Sequence, residues 1–150
     1  FVGARGAAAF FRSRGDSASA ALVDARWADD KLLGTFWSGL SHTLDSAFKA
    51  HPNDKAARLA ARDEIYAAAR RTLVDSIAPR FATVSPLYAR RVRLDNAALL
   101  ARRIYGSGLD AFDLLWARNH YDLRYTIRQI IAVAKRNRSN PFAAVRAAQR

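Results

Sequence analysis

Residues 21–50, ALVDARWADDKLLGTFWSGLSHTLDSAFKA, decide the fold class. Leu22, Ala25, Leu33, Phe36, Trp37, Leu40, Leu44, Ala47 and Phe48 recur at steps of three and four, the spacing that lines one face of an α-helix. The stretch therefore predicts one long helix running to about Ala50. Gly34 and Gly39 stand inside it as weak points where a neighbour can pack closely. His51-Pro52-Asn53-Asp54 stops it, because proline cannot continue the hydrogen-bond ladder and Asn53 or Asp54 can cap the next start.

The helical period extends in both directions. Upstream, Phe1 to Phe11 reads as an amphipathic helix with no cap residue ahead of it, and Arg14-Gly15-Asp16-Ser17 breaks it, with Asp16 or Ser17 as the next N-cap. Downstream, Ala57, Ala61, Ile65, Ala68, Ala69, Leu73 and Ile77 share one side of a third helix, Arg58, Arg62 and Arg70 another, and Pro79 marks its end. Arg80 to Arg93 has no helical period and contains Pro86, which predicts an irregular connection pinned by its aromatics. Asp95 then caps a short helix through Ile104-Tyr105, interrupted by Gly106-Ser107-Gly108. Leu109, Phe112, Leu115 and Trp116 pattern the next helix, and Asn119 to Asp122 form a turn with Asp122 as N-cap. Leu123, Ile127, Ile130, Ile131 and Ala134 follow, closed by Lys135-Arg136-Asn137-Arg138 at the negative end of the helix dipole. Asn140 and Pro141 start a final helix as cap and first helical residue. With no convincing strand and no internal repeat, the expectation is an all-α fold. We expect an irregular helical bundle of about six to seven helices forming a single domain over residues 1–150.

Composition bounds the rest. A chain of 150 residues, 51% hydrophobic, can bury one core, and no apolar run is long enough to span a membrane. Cysteine is absent, which removes disulfides and thiolate metal ligands. The net charge of +12 is uneven, with six basic and five acidic residues in 1–50, nine and five in 51–100, and ten and three in 101–150. Arginine outnumbers lysine 21 to 4, a skew that GC-rich coding produces without any ligand. The chain also contains no methionine and opens on Phe1, so we expect further sequence ahead of it.

The chemistry-bearing residue types do not converge. His42, His51 and His120 stand far apart and none pairs with another at i, i+4, so no H-E-x-x-H metal helix is present and each reads as a surface or helix-end residue. Serines fall at turns and caps, and no G-x-S-x-G elbow occurs. Asp29-Asp30 occupies adjacent helical positions about 100° apart, with Arg26 and Lys31 nearby, and reads as a solvated face rather than a carboxylate pair. The non-enzymatic alternative is a basic helical module for nucleic acid or another polyanion. There Arg90-Arg91-Val92-Arg93, Arg102-Arg103 and Lys135 to Arg138 would contact phosphates, and Tyr88, Tyr121 and Tyr125 would stack. No helix-turn-helix, zinc-finger or RNP-like pattern accompanies them, so nucleic acid is the less favoured partner.

Two stretches carry a resemblance. Phe1-Val2-Gly3, Ala8-Ala9-Phe10-Phe11 and Arg14-Gly15-Asp16 resemble the segment that follows the active-site helix in the bacterial predicted zinc-dependent aminopeptidases. Leu94-Asp95-Asn96-Ala97, Ile104-Tyr105, Leu109-Asp110-Ala111-Phe112, Asp122-Leu123 and Pro141-Phe142-Ala143-Ala144 are similar in order and spacing to that family's C-terminal helical region. The resemblance spans nearly the whole chain, with residues 18–88 alike only as a charged helical pair.

It implies a metallopeptidase in which zinc-activated water attacks a peptide carbonyl, with the H-E-x-x-H helix and a further Glu helix lying ahead of Phe1. On this reading the chain holds no catalytic residue and no metal ligand, and is inactive alone. An N-terminal catalytic region packs on the helices near Phe1, which predicts apolar surface there, and the setting implied is the bacterial envelope or periplasm. Asn96 and Tyr105 match recurrent family positions and become the substrate-binding candidates, able to reach a peptide backbone. The competing reading has Asn96 bonding a helix terminus and Tyr105 packed in the core. Asp95 stands where the family often has another Asn, and a carboxylate there can cap the helix but cannot donate a hydrogen bond.

Overall fold

A computed structural model describes the backbone of residues 1–106 and 108–149, and the side chains of all of these except 103–106. Eight α-helices follow one another among the described residues, with no strand. They are α1 Val2–Ser13, α2 Ser17–Ala50, α3 Lys55–Thr72, α4 Pro86–Arg91, α5 Asn96–Gly106, α6 Asp110–Arg118, α7 Leu123–Arg136 and α8 Pro141–Ala147. The all-α expectation holds, and the long second helix ends at Ala50 as its stripe requires.

Side chains at the boundaries explain where helices start. Asp16, Asp54, Asp122 and Asn140 each accept a hydrogen bond from the backbone N–H three residues on, at 2.9, 2.9, 2.8 and 3.0 Å. Each satisfies one of the orphan donors of a helix's first turn. The Ser19 backbone bond, followed by the Ser19 side chain, holds the Asp16 carboxyl below its ordinary range. Gly15 takes a left-handed φ of +77° just past α1, the conformation glycine adopts without a Cβ clash. His120 and Tyr121 are left-handed without that freedom, and they make the tight turn between α6 and α7.

Three local expectations are corrected. The third helix, expected to run to Pro79, gives way after Thr72 to a π-turn, Leu73–Ile77, and a 3₁₀ turn, Ala78–Arg80, and the connection expected to be irregular over Arg80 to Arg93 contains the six-residue α4, opened by Pro86. Proline explains both changes, since Pro79 has no N–H to extend the α3 ladder and Pro86 has its φ preset for a first helical turn behind the Ser85 cap. Gly39 is exposed, with nothing within 4 Å of the position a Cβ would take, so no neighbour approaches it. It lies off the apolar stripe, whereas Gly34 is buried. Within the proposed interruption at Gly106-Ser107-Gly108, Ser107 lies outside the described residues.

The chain groups into two compact units. One comprises Phe1–Trp27 and Gly108–Arg150. In it α7 and α8 pack on each other and on α6, and α1 packs on α7. Its core is Ala111, Leu115 and Val145, with Phe112, Ile130 and Val133 against them. The other unit, Ala28–Ser107, is built on the part of α2 from Ala28 onward. Leu33, Trp37, Leu40 and Leu44 meet Leu73, Ala78, Ala89 and Leu99 there. No described helix is long and apolar enough to cross a membrane.

Candidate functional site

Three hollows in the described surface of the second unit meet at Asn96. The chain reaches it through a short, heavily anchored segment. Asp29 of α2 is 1% exposed and its carboxylate receives the backbone N–H groups of Ala82, Thr83 and Val84 at 2.9, 2.7 and 2.9 Å and the Thr83 hydroxyl at 2.7 Å. This contradicts its reading as part of a solvated face. Burial pushes the carboxyl up, but the four donors outweigh it and hold Asp29 below its ordinary value. Arg70 of α3 donates to the carbonyls of Ala89 and Val92, closing the C-terminal end of α4. Phe81 and Tyr88 pack edge to face, centroids 6.5 Å apart, against the same core. The segment is thus clamped at its start by an anion and at its end by a cation.

From there Asp95 starts α5. Its carboxylate accepts the Ala98 N–H at 2.8 Å and pairs with Arg93 at 3.0 Å, while its carbonyl accepts the Leu99 N–H. Asp95 therefore does what a carboxylate can do at this position, and the terminus is capped without help from Asn96. Asn96, freed of that task, projects from the first turn, and the hydroxyl of Tyr66 on α3 donates to its Oδ1 at 2.7 Å. Burial first, and then the Asp95 carboxylate, push the Tyr66 phenol up against the opposing pull of Arg62, so it remains a protonated donor at neutral pH. With Oδ1 held, the amide N–H groups of the exposed Asn96 have no hydrogen-bond partner among the described residues.

Three adjoining concavities share Asn96. The largest, about 440 Å³, is lined by Arg62, Asp63, Tyr66, Leu94 and Asp95. A second of about 210 Å³ lies between Phe48 and the start of α3, and a third of about 180 Å³ runs along Leu44, Phe48 and Leu99. A donor pair on a fixed amide, at the junction of three hollows of mixed polar and apolar lining, can take a carbonyl oxygen. Tyr66→Phe should cost under about 1 kcal/mol of stability, because the bond is exposed, while shifting and broadening the Asn96 side-chain NH₂ resonances. An unchanged Asn96 spectrum in that variant would show that Tyr66 does not orient the amide.

Of the two substrate-binding candidates, Asn96 is at this site; the Tyr105 side chain lies outside the described residues. Sequence reasoning missed Tyr66, whose single signal was a lone aromatic among the alanines and charges of α3.

The other polar clusters are spent on the fold. In the first unit the Arg5 guanidinium donates to Asp24 at 2.9 Å and to Asp113 at 2.6 and 3.1 Å, and lies over the rings of Trp27 and Trp116. Trp27 Nε1 donates to the second oxygen of Asp113 at 2.8 Å, and Phe1 packs against Trp27, Phe112 and Trp116. Val2, Phe10 and Leu22 near the N-terminus are exposed. Among the stacking candidates for nucleic acid, Tyr88 has a buried hydroxyl and lies under Arg102, while Tyr121 and Tyr125 are exposed. His42, His51 and His120 are all exposed, and no group of three or more His, Cys, Asp or Glu among the described residues is placed to hold a metal ion.

Compared with known proteins, residues 1–144 match the model of the family described as "Putative aminopeptidase". No curated protein and no solved structure matches the chain.

Proposed function

Because the chain belongs to this aminopeptidase family, we propose that it is the helical C-terminal part of a zinc-dependent enzyme that releases residues from the N-termini of peptides. The single observation that carries the reading is the family match over nearly the whole chain. The described residues do not fit a zinc ion, since they bring no three ligand side chains together. We therefore assign the H-E-x-x-H ligands and the general base to sequence ahead of Phe1, and expect this chain alone to be inactive.

What this chain contributes is a wall for substrate. Asn96 offers two N–H donors into a lined hollow, with Tyr66 fixing which end of its amide points out. A peptide carbonyl placed there replaces water as acceptor and is held in one orientation. Such a contact is made equally in ground and transition states, so it acts on binding more than on the chemical step.

The reading is tested on the chain joined to its upstream sequence. Stoichiometric zinc, and peptidase activity lost on chelation and restored by zinc, are expected. In the same protein Asn96→Ala should raise KM about 3- to 10-fold with kcat nearly unchanged, the worth of one neutral hydrogen bond. An upstream sequence without H-E-x-x-H and a protein without bound metal would sink the proposal. A fall in kcat with KM constant would remove Asn96 from substrate binding. The polyanion-binding alternative is not favoured by the family match.

A further inference from the structure

One edge of α3 carries three cations, two of which make no bond among the described residues. Lys55, Arg58 and Arg62 follow at steps of three and four, which at 100° per residue places them within an arc of about 60°. Together with Phe48, Leu59 and Asn96 they line the hollow of about 210 Å³. No acidic side chain lines it. Arg62 donates to its exposed neighbour Asp63, while the side chains of Lys55 and Arg58 have no hydrogen bond or ion pair among the described residues. Arg5, by contrast, is consumed by Asp24 and Asp113, and Arg70 by two backbone carbonyls.

The walls define the ligand further. Leu59 remains 40% exposed beside these cations, and Leu100 remains 59% exposed in the neighbouring hollow that shares Phe48 and Asn96. Two uncommitted cations, Lys55 and Arg58, the unpartnered Asn96 amide donors and apolar side chains around so small a space fit one compact anion attached to an apolar group. A nucleic-acid strand presents a series of phosphates and needs a charged track with open aromatic faces. Phe48 is instead packed against the core.

We propose that this hollow binds the free C-terminal carboxylate of a short peptide whose last side chain is apolar. The proposal rests on the peptidase reading for its choice of a peptide over other apolar carboxylates. The carboxylate meets Lys55 and Arg58 in charge-assisted hydrogen bonds, the apolar side chain lies against Leu59 and Phe48, and the Asn96 amide takes a neighbouring carbonyl.

The test titrates the full chain with leucyl-leucine, with leucyl-leucinamide and with a short single-stranded DNA, followed by backbone NMR shifts. Leucyl-leucine should bind about tenfold more tightly than its amide, an effect moderated by solvent exposure, and should move the signals of Arg58 and Asn96. The double variant Lys55→Gln, Arg58→Gln, its folding checked by circular dichroism, should lose the preference for the acid. Equal affinities for acid and amide, binding of neither, or DNA binding without acid preference each overturns the proposal. The acid-against-amide comparison on the unaltered chain decides the matter even if the double variant does not fold. Peptidase activity in the extended protein without acid preference removes this inference alone, whereas acid preference without any peptidase activity removes the peptidase reading.

Discussion

Replacing Asp29 with alanine should destabilise the Ala28–Ser107 unit by about 3–4 kcal/mol, a cost set by the donors left behind rather than by the volume removed. Three consecutive backbone N–H groups and the Thr83 hydroxyl point at one carboxylate. None of the four has another acceptor among the described residues. Part of the loss is recovered by water, because Ala82 is exposed, which is why the figure stays below the sum of four buried bonds. Asp29→Asn is the informative control. It keeps the shape but turns one oxygen into a donor facing N–H groups, so it should cost nearly as much as alanine. Urea unfolding should show a lower midpoint with an unchanged slope.

The same carboxylate makes a pH prediction. Its folded value lies below the ordinary 3.8, so its contribution is fully present above pH 3.8 and is lost as pH falls through the lower folded value. Below pH 3.8 the difference in stability between the parent protein and Asp29→Asn should therefore shrink. A difference that instead grew with acidification would mean the donors do not stabilise the charged form.

The second large effect is at Arg5. Its substitution by methionine should cost the Phe1–Trp27 and Gly108–Arg150 unit about 2–4 kcal/mol. Three guanidinium bonds go, two of them to the partly exposed carboxylate of Asp113 and one to Asp24. The rings of Trp27 and Trp116, whose centroids lie 5.5 and 4.9 Å from the guanidinium carbon, lose the cation between them. Methionine refills much of the space, so the penalty is electrostatic. Arg5→Lys, which keeps the charge but not the planar fork, should return part of the lost stability. A lysine variant no better than Arg5→Met would show that the positive charge contributes nothing to the cluster. Tryptophan emission should shift to the red in Arg5→Met as water reaches the two indoles.

These two residues mark where sequence reading succeeds and where it stops. The stripe of α2 was legible because apolar side chains recur at its period, and the helix starts because Asp16, Asp54, Asp122 and Asn140 are short acceptors placed before each run. Asp29 was misread although its position was not silent. It lies four residues after Ala25 and four before Leu33, in the gap of the same stripe, so periodicity puts it inward while its charge argues outward. Arg5 is similar, four after Phe1 and three before Ala8. What no local pattern contains is the partner, since the donors for Asp29 lie more than fifty residues away. Likewise Asn96 was found by resemblance, but Tyr66, thirty residues earlier, comes to it only through the packing of α3 beside the start of α5.

The turn after α3 follows the same logic. Leu73 and Ile77 have the right period for α3, and Leu73 is fully buried as that predicts. The backbone nonetheless widens into a π-turn before Pro79, because the missing N–H must be accommodated upstream of the proline. Periodicity reports which face is buried; it does not report the hydrogen-bond ring size.

The most direct measurement is product analysis of peptide cleavage by the chain carrying its upstream sequence. An unblocked tetrapeptide and its N-acetylated form are incubated in parallel and the fragments identified by mass. The expected result is stepwise loss of single residues from the unblocked peptide only, abolished by a chelator. Internal cleavage, equal attack on the acetylated peptide, or no cleavage of either with zinc supplied would contradict an aminopeptidase.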